Sequence, residues 1–457
     1  MKKEFIGNLV VRPEMVFIIL TLIFGSLSAF LVPQLSVSDE NMHFLRSYNL
    51  ASGKLGNEEC IYPADISIKA GSVYEGISSP DYTHKVDFSK NTKATCGSAA
   101  SYSPIMHLPQ AVGMLMAKLT YPSTALIVLL GRLLNVAFYA VAVYYIIKHV
   151  RIGKWAFVVI GLFPLMIHMA ASLSGDVMSN VLILAVVALI FNLFTLKTKL
   201  SRKQILLLFT LICLISLSKV TNVLLLLPLL LLPASSFARN NTSHRLPFSL
   251  EKWSIIGLGG IIGVLSMVGW QKVYNVAAPS SPENHLSNPL GFLEILINTY
   301  ISPFFGYNDL ILRGVVGEFA SFQYHLPIFM IFLAFFLLFV VMLRRDKKEE
   351  KIMKPTSRRL VVGSLSTLCI LIMVISYAMY TVWAVQPYRL GPDAAYADGV
   401  QGRYFTALLV LLVPLFIWLR RFISVDINST RRLGLIVFSV SAISLSFYTI
   451  ETYLFIT

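Results

Sequence analysis

The run Met15-Val-Phe-Ile-Ile-Leu-Thr-Leu-Ile-Phe-Gly-Ser-Leu-Ser-Ala-Phe-Leu-Val-Pro-Gln-Leu35 passes directly into Ser36-Val-Ser-Asp39-Glu40-Asn-Met-His43-Phe-Leu-Arg46, and this junction decides how the chain is read. An apolar helix of that length matches the roughly 30 Å hydrocarbon core of a bilayer. Lys2, Lys3 and Arg12 precede it. It is too long for a secretory leader, and a charged motif stands where a small-residue cleavage site would be. The first run is therefore expected to stay in the membrane, with a polar, charged segment beginning at its far end.

The same pattern recurs. Apolar runs near 123–147, 155–173, 176–196, 204–218, 220–236, 254–274, 326–343, 360–384, 404–419 and 433–455 carry few charges. They predict an all-α polytopic membrane protein with about eleven transmembrane helices. Composition agrees: 56% of the residues are hydrophobic and 13% charged, too little polar surface for a soluble chain of 457 residues. One membrane-embedded domain, 1–457, is expected. It has a large first extracytoplasmic loop at 36–122 and a second at 275–325. The piece Pro104 to Leu119 is apolar but too short to span, and is read as interfacial or re-entrant.

The net charge of +15 is not a nucleic-acid signature. Its bases are divided among short segments: Lys148, Arg151 and Lys154; Lys197, Lys199, Arg202 and Lys203; Arg344 to Arg359; Arg420, Arg421, Arg431 and Arg432. On this topology all of them are cytoplasmic, the distribution that orients membrane proteins. It places the N-terminus inside and the C-terminus and large loops outside. Short basic loops suit anionic lipid headgroups and offer no groove to a polynucleotide. No P-loop or dinucleotide fingerprint is present, and no cytoplasmic loop is long enough to enclose a nucleotide. No internal repeat is visible, which argues against a transporter built from inverted halves. Cys213 and Cys369 lie in apolar runs. Cys60 and Cys96 share the first outer loop, where an oxidising milieu permits a disulfide that sequence alone does not establish.

Four places carry chemistry. Ser36 or Ser38 can cap a helix that Gly53 ends, and Asp39, His43 and Arg46 then share a face. Asp39 and Glu40 at its positive end are either capping acids or ionised carboxylates, able to act as a base or to help hold a divalent cation. Arg132 lies deep in the second run, as a buried functional charge or as a snorkelling or structurally paired one. Asp176, after Ala170-Ala-Ser-Leu-Ser-Gly175, is a helix cap or a site residue, and Lys219 is an interfacial anchor or a ligand. Arg403, in Gln401-Gly402-Arg403-Tyr404-Phe405, suits bidentate contact with phosphate, and Gly402 allows close approach. The alternative is an interfacial Arg within an aromatic belt. All these positions fall at the outer ends of the runs or in the outer leaflet. The histidines show no paired ligand spacing for a metal.

Ser38-Asp-Glu-Asn-Met-His-Phe-Leu-Arg46, Tyr102-Ser-Pro104 with Leu108-Pro-Gln-Ala-Val-Gly113, Arg132 with Asn135 and Tyr139, Pro164 with Ala170 to Asp176 and Asn180, and Gln401 to Phe405 together resemble a family of bacterial membrane proteins, domain-of-unknown-function family 2142. The likeness runs in consistent order from about residue 15 to 420. Where the family has Gln before the Ala-Ser segment, this chain has His168. The family is thought similar to GT-C glycosyltransferases, which take sugars from polyprenyl phosphates. The resemblance implies a GT-C-like fold in the bacterial cytoplasmic membrane, with Asp39 as catalytic base and Glu40 as its partner. Arg403 and Arg132 would then be lipid-phosphate ligands, with His43, Arg46, Asp176, Lys219 and Tyr404 completing the substrate site. The expected partners are a polyprenyl-phosphate-linked sugar, an extracytoplasmic glycan acceptor and membrane lipids, with no nucleic acid. The only cofactor considered is a divalent cation, Mg or Mn. The rivals are a flippase or transporter of lipid-linked saccharides and a non-catalytic partner in cell-envelope assembly.

Overall fold

The computed structural model describes residues 10–55, 59–66, 80–96, 99, 102–196, 200–232, 250–273, 289–319, 324–354 and 357–456. Lys2, Lys3, Lys197 and Lys199 of the basic clusters, and residues 275–288 of the second outer stretch, lie outside them.

Helix α1 (Pro13–Leu31) opens with proline in its first turn, where a missing N–H costs nothing, and stops just before Pro33. It is one of six helices among the described residues that are long and apolar enough to cross a membrane. The others are α4 (Thr124–His149), α7 (Asp176–Thr195), α9 (Leu250–Val273), α14 (Ser357–Met379) and α17 (Thr430–Ile456). Burial ranks them. The spanning window of α7 is 78% buried and that of α9 only 11%, so α7 is the central post and α9 a peripheral one.

The other apolar runs are helical but short or broken. The stretch expected at 155–173 divides into α5 (Lys154–Gly161) and α6 (Pro164–Ala170), because Pro164 cannot continue a ladder from the preceding turn. Val220–Leu231 is a 3-10 helix containing Pro228. The run at 404–419 changes from α15 (Arg403–Thr406) to 3-10 (Ala407–Leu412) to α16 (Val413–Leu419), with Pro414 in the last piece. Helices α8 (Arg202–Ser216) and α12 (Ile328–Leu343) are continuous but short. The stretch 275–325, read as a loop, instead contains α10 (Pro289–Tyr300), α11 (Tyr307–Val316) and a small hairpin of β3 (Glu318–Phe319) and β4 (Tyr324–His325). A short helix, α13 (Lys347–Met353), bridges α12 to α14.

Between α1 and α4 the chain forms α2 (Glu40–Ala51), then β1 (Glu59–Pro63) paired antiparallel with β2 (Asn91–Thr95), then a 3-10 turn at Pro104–His107 leading into α3 (Leu108–Thr120). Cys60 and Cys96 are joined by a disulfide that ties the ends of this sheet. Gly53, at φ 75°, ends α2 as the sequence suggests. Helix α3 packs against α4 so closely that a Cβ on Gly113 would collide with the Leu130 carbonyl. Its outer face exposes Leu108, Val112, Leu115, Met116 and Leu119.

One contact fixes the start of this segment. The Arg132 and Glu40 side chains are both 0% exposed. Arg132 donates from Nε to Glu40 Oε1 (2.8 Å) and from one terminal nitrogen to Glu40 Oε2 (2.6 Å). Its remaining N–H groups reach the carbonyls of Val32 (2.6 Å), Pro33 (2.8 Å) and Ala29 (3.3 Å) at the end of the helix. Glu40 also accepts from the N–H of Leu173 (3.1 Å) and of Val37 (3.3 Å). The pair thus ties α1, α2, α4 and the turn before α7. Removing one partner of such a pair strands a buried charge, at a cost of about 3–5 kcal/mol. Glu40→Gln should therefore lower the thermal unfolding temperature of the purified protein sharply, and Glu40→Leu combined with Arg132→Leu should recover part of the loss. An unchanged transition for Glu40→Gln would remove this pair from the frame.

Candidate functional site

The turn Ala171–Gly175 is held by buried side chains from three directions. Asn135 Nδ2 donates to Ser172 O (2.8 Å), Gln110 Nε2 donates to Ser174 O (2.9 Å), and Glu40 takes the Leu173 N–H. Gly175 N–H donates to His43 Nδ1 (3.4 Å), which also meets His107 Nε2 (2.9 Å). With His43 Nδ1 accepting, the shared proton belongs to His107. Burial holds both imidazoles below the usual histidine range, so they are neutral. This scaffold delivers Asp176 to the first position of α7. The helix cap is Gly175, and the Asp176 carboxylate makes no cap bond. It pairs instead with Lys219 Nζ at 2.7 Å and lies 3.9 Å from Arg403 Nε.

Arg403 opens α15, and Gly402 determines where. A Cβ on Gly402 would collide with the backbone of Ile311, Gly314 and Val315 in α11. The close approach that Gly402 permits is thus to a neighbouring helix, not to a phosphate. Arg403 donates to Asp39 Oδ2 at 2.7 Å. Asp39 occupies the cap position of α2 in a left-handed conformation, φ 62°, yet caps nothing. Aspartate tolerates that conformation better than most residues, and here it turns the carboxylate away from the helix toward Arg403. Burial raises the Asp39 pKa, but the Arg403 guanidinium outweighs it and holds the carboxyl below its ordinary range. The Asp39 side chain stays 47% exposed while that of Arg403 is 11% exposed, so the pair has one face open.

The two arginines singled out in the sequence are opposites. Arg132 uses every N–H on protein acceptors. Arg403 is buried, yet its Nε and one terminal nitrogen have no hydrogen-bond partner among the described residues. Arg403 lines a cavity of about 120 Å³ between α7, α14 and the Val220–Leu231 helix. Its polar lining includes Asp176, Asn180, Lys219, Asn222, Tyr102 and Tyr404. The Lys219 ammonium lies 4.9 Å from the Tyr404 ring centre and 5.6 Å from that of Tyr102. Burial pushes the Tyr102 phenol up to about 12, so it remains a donor. Met166, Met169, Ile183, Ile375 and Met379 are apolar residues of the same lining. Such a slot accepts a charged head followed by a hydrocarbon chain.

Of the residues expected at the site, Asp39, Asp176, Lys219, Arg403 and Tyr404 come together. Glu40 and Arg132 do not join them. Both are sealed in the frame, and Arg132 has no donor left for a phosphate. His43 stands behind Asp176. Arg46 is directed away, donating to Leu55 O (3.2 Å) and lying 5.6 Å from the Trp270 ring. Sequence reading passed over Asn222 and Glu318. Among the described residues no group of three or more His, Cys, Asp or Glu side chains is placed to hold a metal. The two acids nearest each other, Asp39 and Asp176, already share Arg403, so these residues do not fit a divalent cation and no step below uses one.

A helical chain with several membrane-crossing helices and a polar cavity at their ends is a polytopic membrane protein. It belongs to the family of predicted membrane proteins designated DUF2142, whose family model matches residues 22–412. No curated protein and no solved structure matches it.

The Gly402 packing gives a direct check. Gly402→Ala should force α15 away from α11, cost about 1–3 kcal/mol as overpacking does, and lower the unfolding temperature. An unaltered transition would show that this crossing does not position Arg403.

Proposed function

We propose that this protein is a membrane glycosyltransferase that takes a sugar from a polyprenyl-phosphate carrier and passes it to an extracytoplasmic cell-envelope glycan. The observation that carries the reading is Arg403: a largely buried guanidinium with unpaired N–H groups, in the lining of a cavity that combines charged and apolar side chains. The phosphate would take those N–H groups and the Lys219 ammonium, and the lipid chain would run along Met166, Ile183 and Met379. Arg is suited to this by its planar fork and permanent charge.

The chemistry follows from the open Asp39 carboxylate. The acceptor oxygen attacks the anomeric carbon, and the bond from that carbon to the phosphate oxygen breaks. The lipid phosphate leaves with the electron pair, stabilised by Arg403 and Lys219, and the acceptor proton passes to Asp39. Paired with Arg403, Asp39 is a weak base. A phosphate that competes for the guanidinium would loosen the pair and raise the basicity of Asp39 only when the donor is bound.

The orientation has two supports. A disulfide between Cys60 and Cys96 suits an oxidising compartment. At the opposite end of α4, Glu349 accepts from Gly153 N–H and pairs with Arg420, gathering the basic turns around Lys154, Arg344 and Arg420 on one side. We therefore place Asp39 and the cavity outside and those turns in the cytoplasm, with α3 at the outer interface and its apolar face toward lipid. The broken and shorter apolar helices would complete about eleven crossings.

The test pairs two measurements in one preparation. Asp39→Asn should retain lipid-phosphate-sugar binding and lose transfer by about 10²–10⁴-fold. Arg403→Lys should weaken binding itself, because the fork is lost. Normal transfer by Asp39→Asn would remove the catalytic assignment. Binding and movement of the lipid-linked sugar with no transfer in the wild type would favour a flippase.

A further inference from the structure

Arg403 also lines a second, smaller cavity, which shares Leu165 and Met169 with the first. This one holds about 10 Å³, and Ser38, His168, Glu318, Gln401 and Arg403 supply its polar lining. That is room for a single water or hydroxyl group. Two groups there lack partners. His168 is 2% exposed, and its Nδ1 meets the Tyr448 hydroxyl at 2.8 Å. Its Nε2 is buried with no hydrogen-bond partner among the described residues. Glu318 stands at the start of β3, its Oε2 against Gly314, and makes no hydrogen bond to a described residue. The buried imidazole nitrogen ordinarily finds a partner, and Glu318, which is partly exposed, shares its cavity, so a ligand that meets both would donate and accept. A hydroxyl does both. Phosphate does not suit the carboxyl, and an apolar group suits neither.

We propose that this second cavity is a hydroxyl-binding subsite for the acceptor, with Glu318 and His168 as its recognition pair. The proposal rests on the reading of the larger cavity as the donor site, and deepens it. Arg403 then meets two ligands, donor phosphate in one cavity and acceptor hydroxyl in the other, while Asp39 hydrogen-bonds the same guanidinium at its open face. Burial pushes the Glu318 carboxyl up to about 8, against the lowering pull of Arg403 and Arg313 and with a small raising push from Asp309. His168 shares the cavity lining with it. Below that pH Glu318 is protonated, and can donate to an acceptor oxygen as well as accept from a hydroxyl. Above it the carboxylate only accepts. Acceptor recognition should therefore change as pH rises through about 8, while lipid-donor binding should not.

The experiment uses the full-length protein in lipid nanodiscs, with glycerol as the probe. Infrared difference spectra should show a protonated carboxyl stretch that titrates near pH 8, is absent in Glu318→Gln and shifts when glycerol is added. Glu318→Gln keeps the shape of the neutral acid, so it should fold normally. In a transfer assay it should raise the acceptor KM roughly three- to tenfold, leave donor affinity unchanged and lose the pH step. A carboxyl band that titrates in the ordinary range, or one that ignores glycerol, would overturn the subsite. A glycerol response in a protein that transfers no sugar would uphold the subsite and count against the transferase reading alone.

Discussion

The buried pair of Glu40 and Arg132 is the constraint on which the rest depends. An arginine at that depth in a membrane helix is costly unless every N–H finds an acceptor. Here two go to one carboxylate and three to the carbonyls at the end of α1. The chain leaving the first membrane helix is thereby locked to α4 before α2 begins. Because Glu40 also takes the Leu173 N–H, the same lock sets the turn that starts α7. Asp39 and Asp176 each adjoin an element held by this clamp, which is how residues far apart in sequence reach one guanidinium.

That arrangement separates frame from site by hydrogen-bond satisfaction. Arg132 is complete, and a complete arginine binds nothing further. Arg403, 11% exposed, is unfinished, and it lines two cavities of different character. The larger combines charged and apolar lining, and the smaller has room for one oxygen. A catalyst that joins a lipid-borne phosphate ester to a hydroxyl needs both compartments, with a cation between them to take the developing charge of the leaving group.

Much of the fold was legible because membrane helices declare themselves by apolar length. Every run read from the sequence is helical. Continuity was less legible. Pro164 breaks one run, and the stretches around Pro228 and Pro414 tighten into 3-10 geometry, since helical packing in a membrane tolerates such breaks where neighbours cover the backbone. The amphipathic pieces α10 and α11, among polar and proline-rich residues, looked like loop. At the site, Asp39, Asp176, Lys219, Arg403 and Tyr404 stood out as charged or aromatic groups at the ends of apolar runs. For Glu40 and Arg132 the sequence leaves a structural and a site role both open, because depth shows that a charge matters without showing whether its partner is protein or ligand. Glu318 was missed for a related reason. A single glutamate between Gly317 and Phe319 has no periodic or motif signal, and only its position beside Arg403 and His168 makes it notable.

The central claim is that the larger cavity holds a lipid-linked phosphate against Arg403. It is tested most directly by cryo-electron microscopy of the protein in nanodiscs with a polyprenyl-phosphate sugar. The account predicts phosphate density within hydrogen-bonding distance of the Arg403 Nε and terminal N–H groups and of Lys219 Nζ, with the prenyl chain between Met166 and Met379. Density for the lipid elsewhere, with Arg403 still paired to Asp39 and the cavity empty, would contradict it.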